Sequence, residues 1–163
     1  MIVVDANVIM ALVRETSRTP DAQAIYAVDS DWTVPPLWQY EVLNALLNEV
    51  KARHLPLPLA IEVAENATRL FGDRIRDTRP GDILATAHAA GLTAYDATYV
   101  VLARSLRAVL VTEDKHILRA CPDVARSMIQ FLSPPGPVVK EKRGAYAANR
   151  RTKTPKRTKR EKR

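Results

Sequence analysis

Apolar positions along the chain change rhythm several times, and each change predicts an element. Ile2-Val3-Val4 is a short β-branched run that predicts a strand buried on both faces and ending at Asp5. Residues 20–29 predict a short helix opened by Pro20-Asp21, Trp32-Thr33-Val34 a second strand, and Pro35-Pro36 its end. A long helix follows, in which Tyr40, Leu43, Leu47 and Val50, with Leu46 alongside, recur at the spacing of one face and are the expected inward positions. Glu41 lies at the edge of that face. After Pro56 and Pro58 another helix is expected to turn Ile61, Ala64, Ala67, Leu70 and Phe71 inward, ending at Gly72-Asp73. Pro80-Gly81-Asp82 opens a helix through Ala90, with Gly91 placed as its left-handed terminator. Thr93-Ala94-Tyr95-Asp96 has the form of a capped helix start with an acid at the third helical position, ahead of Val100, Val101 and Leu102. Ala108-Val109-Leu110-Val111 predicts a buried strand, Ile117-Leu118 a short helix, and Met128–Leu132 a last strand. Strands alternating with helices predict an α/β architecture with a mainly parallel sheet.

Past Ser133-Pro134-Pro135-Gly136-Pro137 the periodicity stops. The expected division is therefore a domain over 1–132 and a Pro-rich linker with a basic tail over 133–163. Too little apolar surface remains there to offset the entropy of ordering, so the tail is expected to be disordered. The net charge of +7 is split along the same line. Residues 1–139 carry 13 basic and 16 acidic groups, a net of −3, whereas 140–163 carry 12 basic and 2 acidic. Arg150, Arg151, Lys153, Lys156, Arg157, Lys159 and Arg160 form an arm suited to a polyanion such as RNA. A solvated terminus is the plainer reading of the same residues.

One cysteine, Cys121, excludes an intramolecular disulfide, and the spacings of zinc sites are missing. With no signal-like start and no long apolar run, a cytoplasmic protein without a membrane anchor is expected.

Four carboxylates hold related places: Asp5 and Asp114 just past strands, Asp96 opening a helix, Glu41 early in another. In a parallel sheet the carboxyl ends of the strands share one edge, where ligands bind, so the four can converge. Convergence without a cation would cost roughly 3 kcal/mol per pair about 5 Å apart at an effective dielectric near 20. Lys115 is the only Lys or Arg adjacent to any of the four. A hard cation, Mg²⁺ or Mn²⁺, answers that need, and such an ion suits phosphodiester hydrolysis. Asn7 and Thr112 are expected to orient ligands or water from behind the acids. Singly, each acid has a plain structural reading: Asp5 as a turn residue, Asp96 as a capping acid, Glu41 as a solvated side chain. Glu113 is expected to face solvent, His116 to be an idle surface histidine, and Tyr95 and Tyr99 to pack.

Asp5-Ala6-Asn7, Glu41-Val42-Leu43-Asn44-Ala45-Leu46, Thr93-Ala94-Tyr95-Asp96-Ala97 and Val111-Thr112-Glu113-Asp114, in this order over about residues 1–132, resemble the successive motifs of PIN domains. More narrowly they resemble VapC-type toxins of toxin–antitoxin pairs. The resemblance implies a three-layer α/β/α sandwich and an endoribonuclease using Mg²⁺ or Mn²⁺ at Asp5, Glu41, Asp96 and Asp114. It also implies a homodimer restrained by a small VapB-type antitoxin. A PIN-type RNA-processing nuclease without an antitoxin and a non-catalytic RNA-binding module are the alternatives. A phosphorylated receiver domain fits less well, because it needs paired acids after the first strand and a lysine ending the last.

Overall fold

The computed structural model describes residues 1–133. Four short strands form one parallel sheet: β1 (Ile2–Val4), β2 (Trp32–Thr33), β3 (Leu110–Val111) and β4 (Ala125–Arg126), in the order β2-β1-β3-β4. Around it lie α1 (Ala6–Val13), α2 (Thr19–Val28), α3 (Trp38–Lys51), α4 (Leu57–Phe71), α5 (Pro80–Ala90), α6 (Ala94–Leu106), α7 (Lys115–Ala120) and α8 (Met128–Leu132). A 3-10 turn at Gly72–Arg74 follows α4. β1 is central, pairing Val3 with Thr33 on one side and with Leu110 on the other.

Side chains alternate across the sheet as strand geometry requires. Ile2 and Val4 enter a core shared with Trp32 of β2 and with Ile9, Ile25, Trp38, Phe71 and Met128 of α1, α2, α3, α4 and α8. Val3 faces the opposite way, into a second core with Tyr99, Val100 and Leu102 of α6, Leu110 of β3, Ile117 of α7 and Cys121 just after it. Helices thus cover both faces, giving the α/β/α layering. Its consequence is that Asp5 and Thr112 leave adjacent strands at one edge, where the Asp5 amide donates to the Val111 carbonyl at 3.0 Å.

Several expectations need correcting. Met128–Leu132 is a helix, not a strand. Ser127 and Gln130 close a reciprocal capping box at its start, and the sheet's last strand is the preceding Ala125–Arg126. α1 was not anticipated, because Asn7-Val8-Ile9-Met10 reads as well as a buried strand; it is held by burial of Val8 and Ile9 rather than by a side-chain cap. The inward face of α3 is Trp38, Val42 and Leu46, while Tyr40, Leu43 and Leu47 are 71%, 49% and 44% exposed. On α4 the buried residues are Ala60, Val63, Ala67 and Phe71, with Ile61 and Leu70 outside. Both helices carry two neighbouring apolar stripes, and periodicity cannot tell which one meets the sheet. The stripes left outside line a groove of about 390 Å³ between α3 and α4, with Leu43, Leu47, Leu57 and Ile61 among its walls.

The turns follow the expected chemistry. Gly91 ends α5 at φ 65°, a left-handed conformation that an L side chain rarely adopts. The Thr93 hydroxyl accepts the Asp96 amide at 3.1 Å to open α6.

Candidate active site

Asp5 ends β1 and stands at the N-cap position of α1, yet its side chain makes no cap hydrogen bond. The carboxylate turns across the sheet edge instead. Its Oδ2 accepts from Asn7 Nδ2 at 2.7 Å and from the Thr112 hydroxyl at 2.5 Å, so the turn-residue reading does not account for it. Thr112 is fully buried, and its Oγ1 also accepts the Asp114 amide at 2.9 Å. One hydroxyl therefore fixes Asp5 relative to Asp114 across two strands. Asp114 has a structural task as well, since its Oδ1 caps α7 by accepting the His116 and Ile117 amides at 2.7 and 3.1 Å.

Glu41 lies in the first turn of α3, half-buried, and its Oε2 accepts the Tyr99 hydroxyl. Asp96 is also in a first turn, that of α6, one helical turn before Tyr99. Tyr99, expected only to pack, thus ties the carboxylate of one helix to the other. The legible signal was its i+3 spacing from Asp96, which puts both on one face.

Electrostatics link the four acids into a chain. Burial pushes the Asp5 carboxyl above the usual range, opposed by the Thr112 hydroxyl and by the Asn7 and Ala6 amides, and the Asp114 charge raises it further. Burial likewise raises Glu41 from 4.5 to about 7; the Tyr99 hydrogen bond resists this, and the charges of Asp5 and Asp96 add to it. No cation relieves the group: the ion pairs among the described residues involve none of the four. Nor, among those residues, do any three acidic, His or Cys side chains already stand close enough to hold an ion. Like charges without a counter-ion keep apart, so an ion would have to draw them closer. The donor chemistry, carboxylate oxygens in a partly desolvated edge with no Lys or Arg paired to them among the described residues, suits a hard divalent cation.

The remaining candidates separate clearly. Glu113 turns away from the acids, as expected, but is engaged: Oε1 accepts the Met128 amide and Oε2 pairs with Arg18, each at 2.9 Å. His116 is exposed and contributes its backbone amide. The basic tail positions Arg150, Arg151, Lys153, Lys156, Arg157, Lys159 and Arg160 lie outside the described residues.

A model of the PIN domain family matches residues 2–121, which is most of the chain. The chain belongs to the PIN domain family. Solved structures that resemble it include two of particular note. PAE2754 from Pyrobaculum aerophilum has a TM-score of 0.63 and 25% identity, over 79% of this chain and 84% of that one. FitAcB from Neisseria gonorrhoeae has a TM-score of 0.55 and 21% identity, over 77% and 95%, a likeness of fold. No curated protein matches the chain. PIN domains are generally nucleases and typically depend on divalent metals. No helix among the described residues is long and apolar enough to cross a membrane.

Proposed function

We propose that this PIN domain is an Mg²⁺- or Mn²⁺-dependent endoribonuclease and the toxin of a VapBC-type pair, with Asp5, Glu41, Asp96 and Asp114 holding the metal. The observation that carries this reading is the linked, cation-free set of four acids at the carboxyl edge of the sheet, one of them raised to about 7. A bound divalent ion supplies Lewis acidity and an activated water for phosphodiester hydrolysis.

The chain's own residues prepare that chemistry. Asn7 and Thr112 both donate to Oδ2 of Asp5, which fixes the carboxylate and leaves Oδ1 without a side-chain donor among the described residues. Tyr99 does the same for Glu41 from the fully packed face of α6. Asp114 keeps Oδ1 on the α7 amides, so its other oxygen is the one open to a ligand. None of these donors is charged, so the negative potential of the edge is preserved for an ion.

The groove between α3 and α4 supports a protein partner, because leucines exposed at 44–55% along its walls would be costly to leave facing water across a contiguous patch. A short amphipathic segment of a small VapB-type antitoxin suits its shape, and a second copy of the chain is the competing occupant. Cleavage tests the main reading. RNA ends sequenced after induction should show cuts with the wild-type chain and none with Asp5→Asn, and purified protein should lose activity in excess EDTA. Unchanged cleavage by Asp5→Asn, or in EDTA, refutes the assignment.

A further inference from the structure

We infer that the cleft between α1, the 14–18 turn and α3 is a nucleotide subsite, which takes an unpaired base with its phosphate on the strand flanking the cut. The inference rests on the ribonuclease reading and deepens it.

The electrostatics pose the problem. The body is net negative, with 13 basic and 16 acidic groups over residues 1–139, and its reactive edge carries four acids. A polyanionic strand needs cations close by to approach such an edge. Two arginines stand there. A cleft of about 380 Å³ begins at Asn7, whose amide touches Asp5 at 2.7 Å, and is lined by Arg14 and Arg18. Hydrogen bonds connect the two places directly: Asn7 Oδ1 accepts the Glu113 amide at 3.2 Å, and the Glu113 carboxylate holds Arg18 at 2.9 Å. Arg18 is thus oriented by the same segment that carries Asp114.

Neither guanidinium is used up by its protein partners. Arg18 makes one contact to Glu113 through NH1, with its side chain 56% exposed. Such a surface pair adds little stability, so it is better understood as an orienting contact. Arg14 is more enclosed: NH2 meets Glu49 Oε2 and NH1 the Glu15 carbonyl, each at 2.9 Å, while Nε is out of solvent without an acceptor among the described residues. The part of its guanidinium that remains exposed, with the side chain 24% accessible, is what a phosphate can meet.

Between the arginines the lining is apolar at Met10, Ala11 and Ala45 and polar at Thr16 and Ser17, with one acid, Glu49, held in its pair with Arg14. An apolar floor beside cationic, polar walls is the chemistry of a base and its phosphate. Its size falls in the range of small-ligand clefts. Bases reach such a floor only when unpaired, so the strand bound here is single.

Binding of a labelled 12-nucleotide single-stranded RNA to the full chain in EDTA, followed by anisotropy across a KCl series, tests this without cleavage. Arg18→Ala is expected to weaken binding about tenfold and to lower the salt slope by about 0.7, the loss of one single-strand phosphate contact. Arg14→Gln should weaken it comparably, Arg18→Lys by less because the charge is kept, and Arg69→Ala on the outside of α4 should change nothing. Circular dichroism melts establish that each variant is folded. Wild-type binding with Arg18→Ala and Arg14→Gln unaltered in affinity and slope overturns the subsite while leaving the nuclease reading standing. Absence of any RNA binding by the wild-type chain overturns both.

Discussion

Glu41→Gln separates the charge of the acidic edge from its shape. The amide is nearly isosteric with a protonated carboxyl and can still accept from Tyr99, so below the titration range the two proteins should be equally stable. The Glu41 carboxyl lies at about 7 in the fold against 4.5 in a free chain, mainly because burial strips its hydration, with Asp5 and Asp96 adding their charges against the Tyr99 hydrogen bond. The native state therefore holds the proton more tightly than the unfolded chain. Stability is full below about 4.5, falls as pH rises from there through about 7, and carries the whole penalty above it. By linkage the difference is about 3 kcal/mol, and partial exposure with solvent screening reduces it to about 1–2 kcal/mol. Without metal, at pH 8.5, Glu41→Gln should thus be more stable than wild type by about 1–2 kcal/mol, several degrees in Tm for a domain of this size. At pH 4.5 the gap should close. Guanidinium and thermal denaturation in EDTA at the two pH values measure it. Saturating Mn²⁺ should reverse the order, since an ion at about 100 times its Kd adds about 2.7 kcal/mol to the protein that binds it. A gap independent of pH, or a variant less stable than wild type at pH 8.5 in EDTA, refutes the electrostatic account of the site.

Three further outcomes are expected. Mn²⁺ affinity measured by calorimetry should fall as pH drops through about 7, by up to about tenfold per pH unit, because Glu41 must lose its proton to serve as a ligand. Tyr99→Phe should lower that affinity by about 10–100-fold at pH 8, since Glu41 loses the donor that orients it, while far-ultraviolet dichroism stays unchanged. In guanidinium denaturation, Leu46→Ala should cost about 2–5 kcal/mol, whereas Leu47→Lys one position along should stay within about 0.5 kcal/mol of wild type.

That last pair of neighbours marks where the sequence was legible and where it was not. The α/β class, the position of Asp5 after a strand, the Thr93 cap and the Gly91 terminator depend on local signals, and each has a local cause in the structure: a β-branched run, a hydroxyl three residues before an amide, a positive φ. The short helices at both ends of the domain depend on something else. Asn7–Met10 and Met128–Leu132 are apolar runs too short for their period to distinguish helix from strand, and burial against a sheet that only the whole fold assembles decides them. For α8 a local clue existed in Ser127 and Gln130, whose spacing is that of a capping box.

The acids and the leucines show two different kinds of blindness. Sequence order could suggest that Asp5, Glu41, Asp96 and Asp114 share an edge with Asn7 and Thr112 behind them, but not that Tyr99 binds Glu41 or that the Thr112 hydroxyl binds Asp5 itself, because those contacts join residues 58 and 107 positions apart. On α3 and α4 the period was right but the face was right only in part: Leu46, Ala67 and Phe71 are buried as expected, whereas Tyr40, Leu43, Leu47, Ile61 and Leu70 are exposed. A helix with one apolar stripe has one way to pack, whereas α3 offers Trp38, Val42 and Leu46 on one side and Tyr40, Leu43 and Leu47 on the next. Burying both within a single chain would need a further layer over α3 and α4, which the described residues do not supply. A second stripe that folding leaves exposed is an apolar patch of the kind that suits association, and it is the reason to test the α3–α4 groove for a partner.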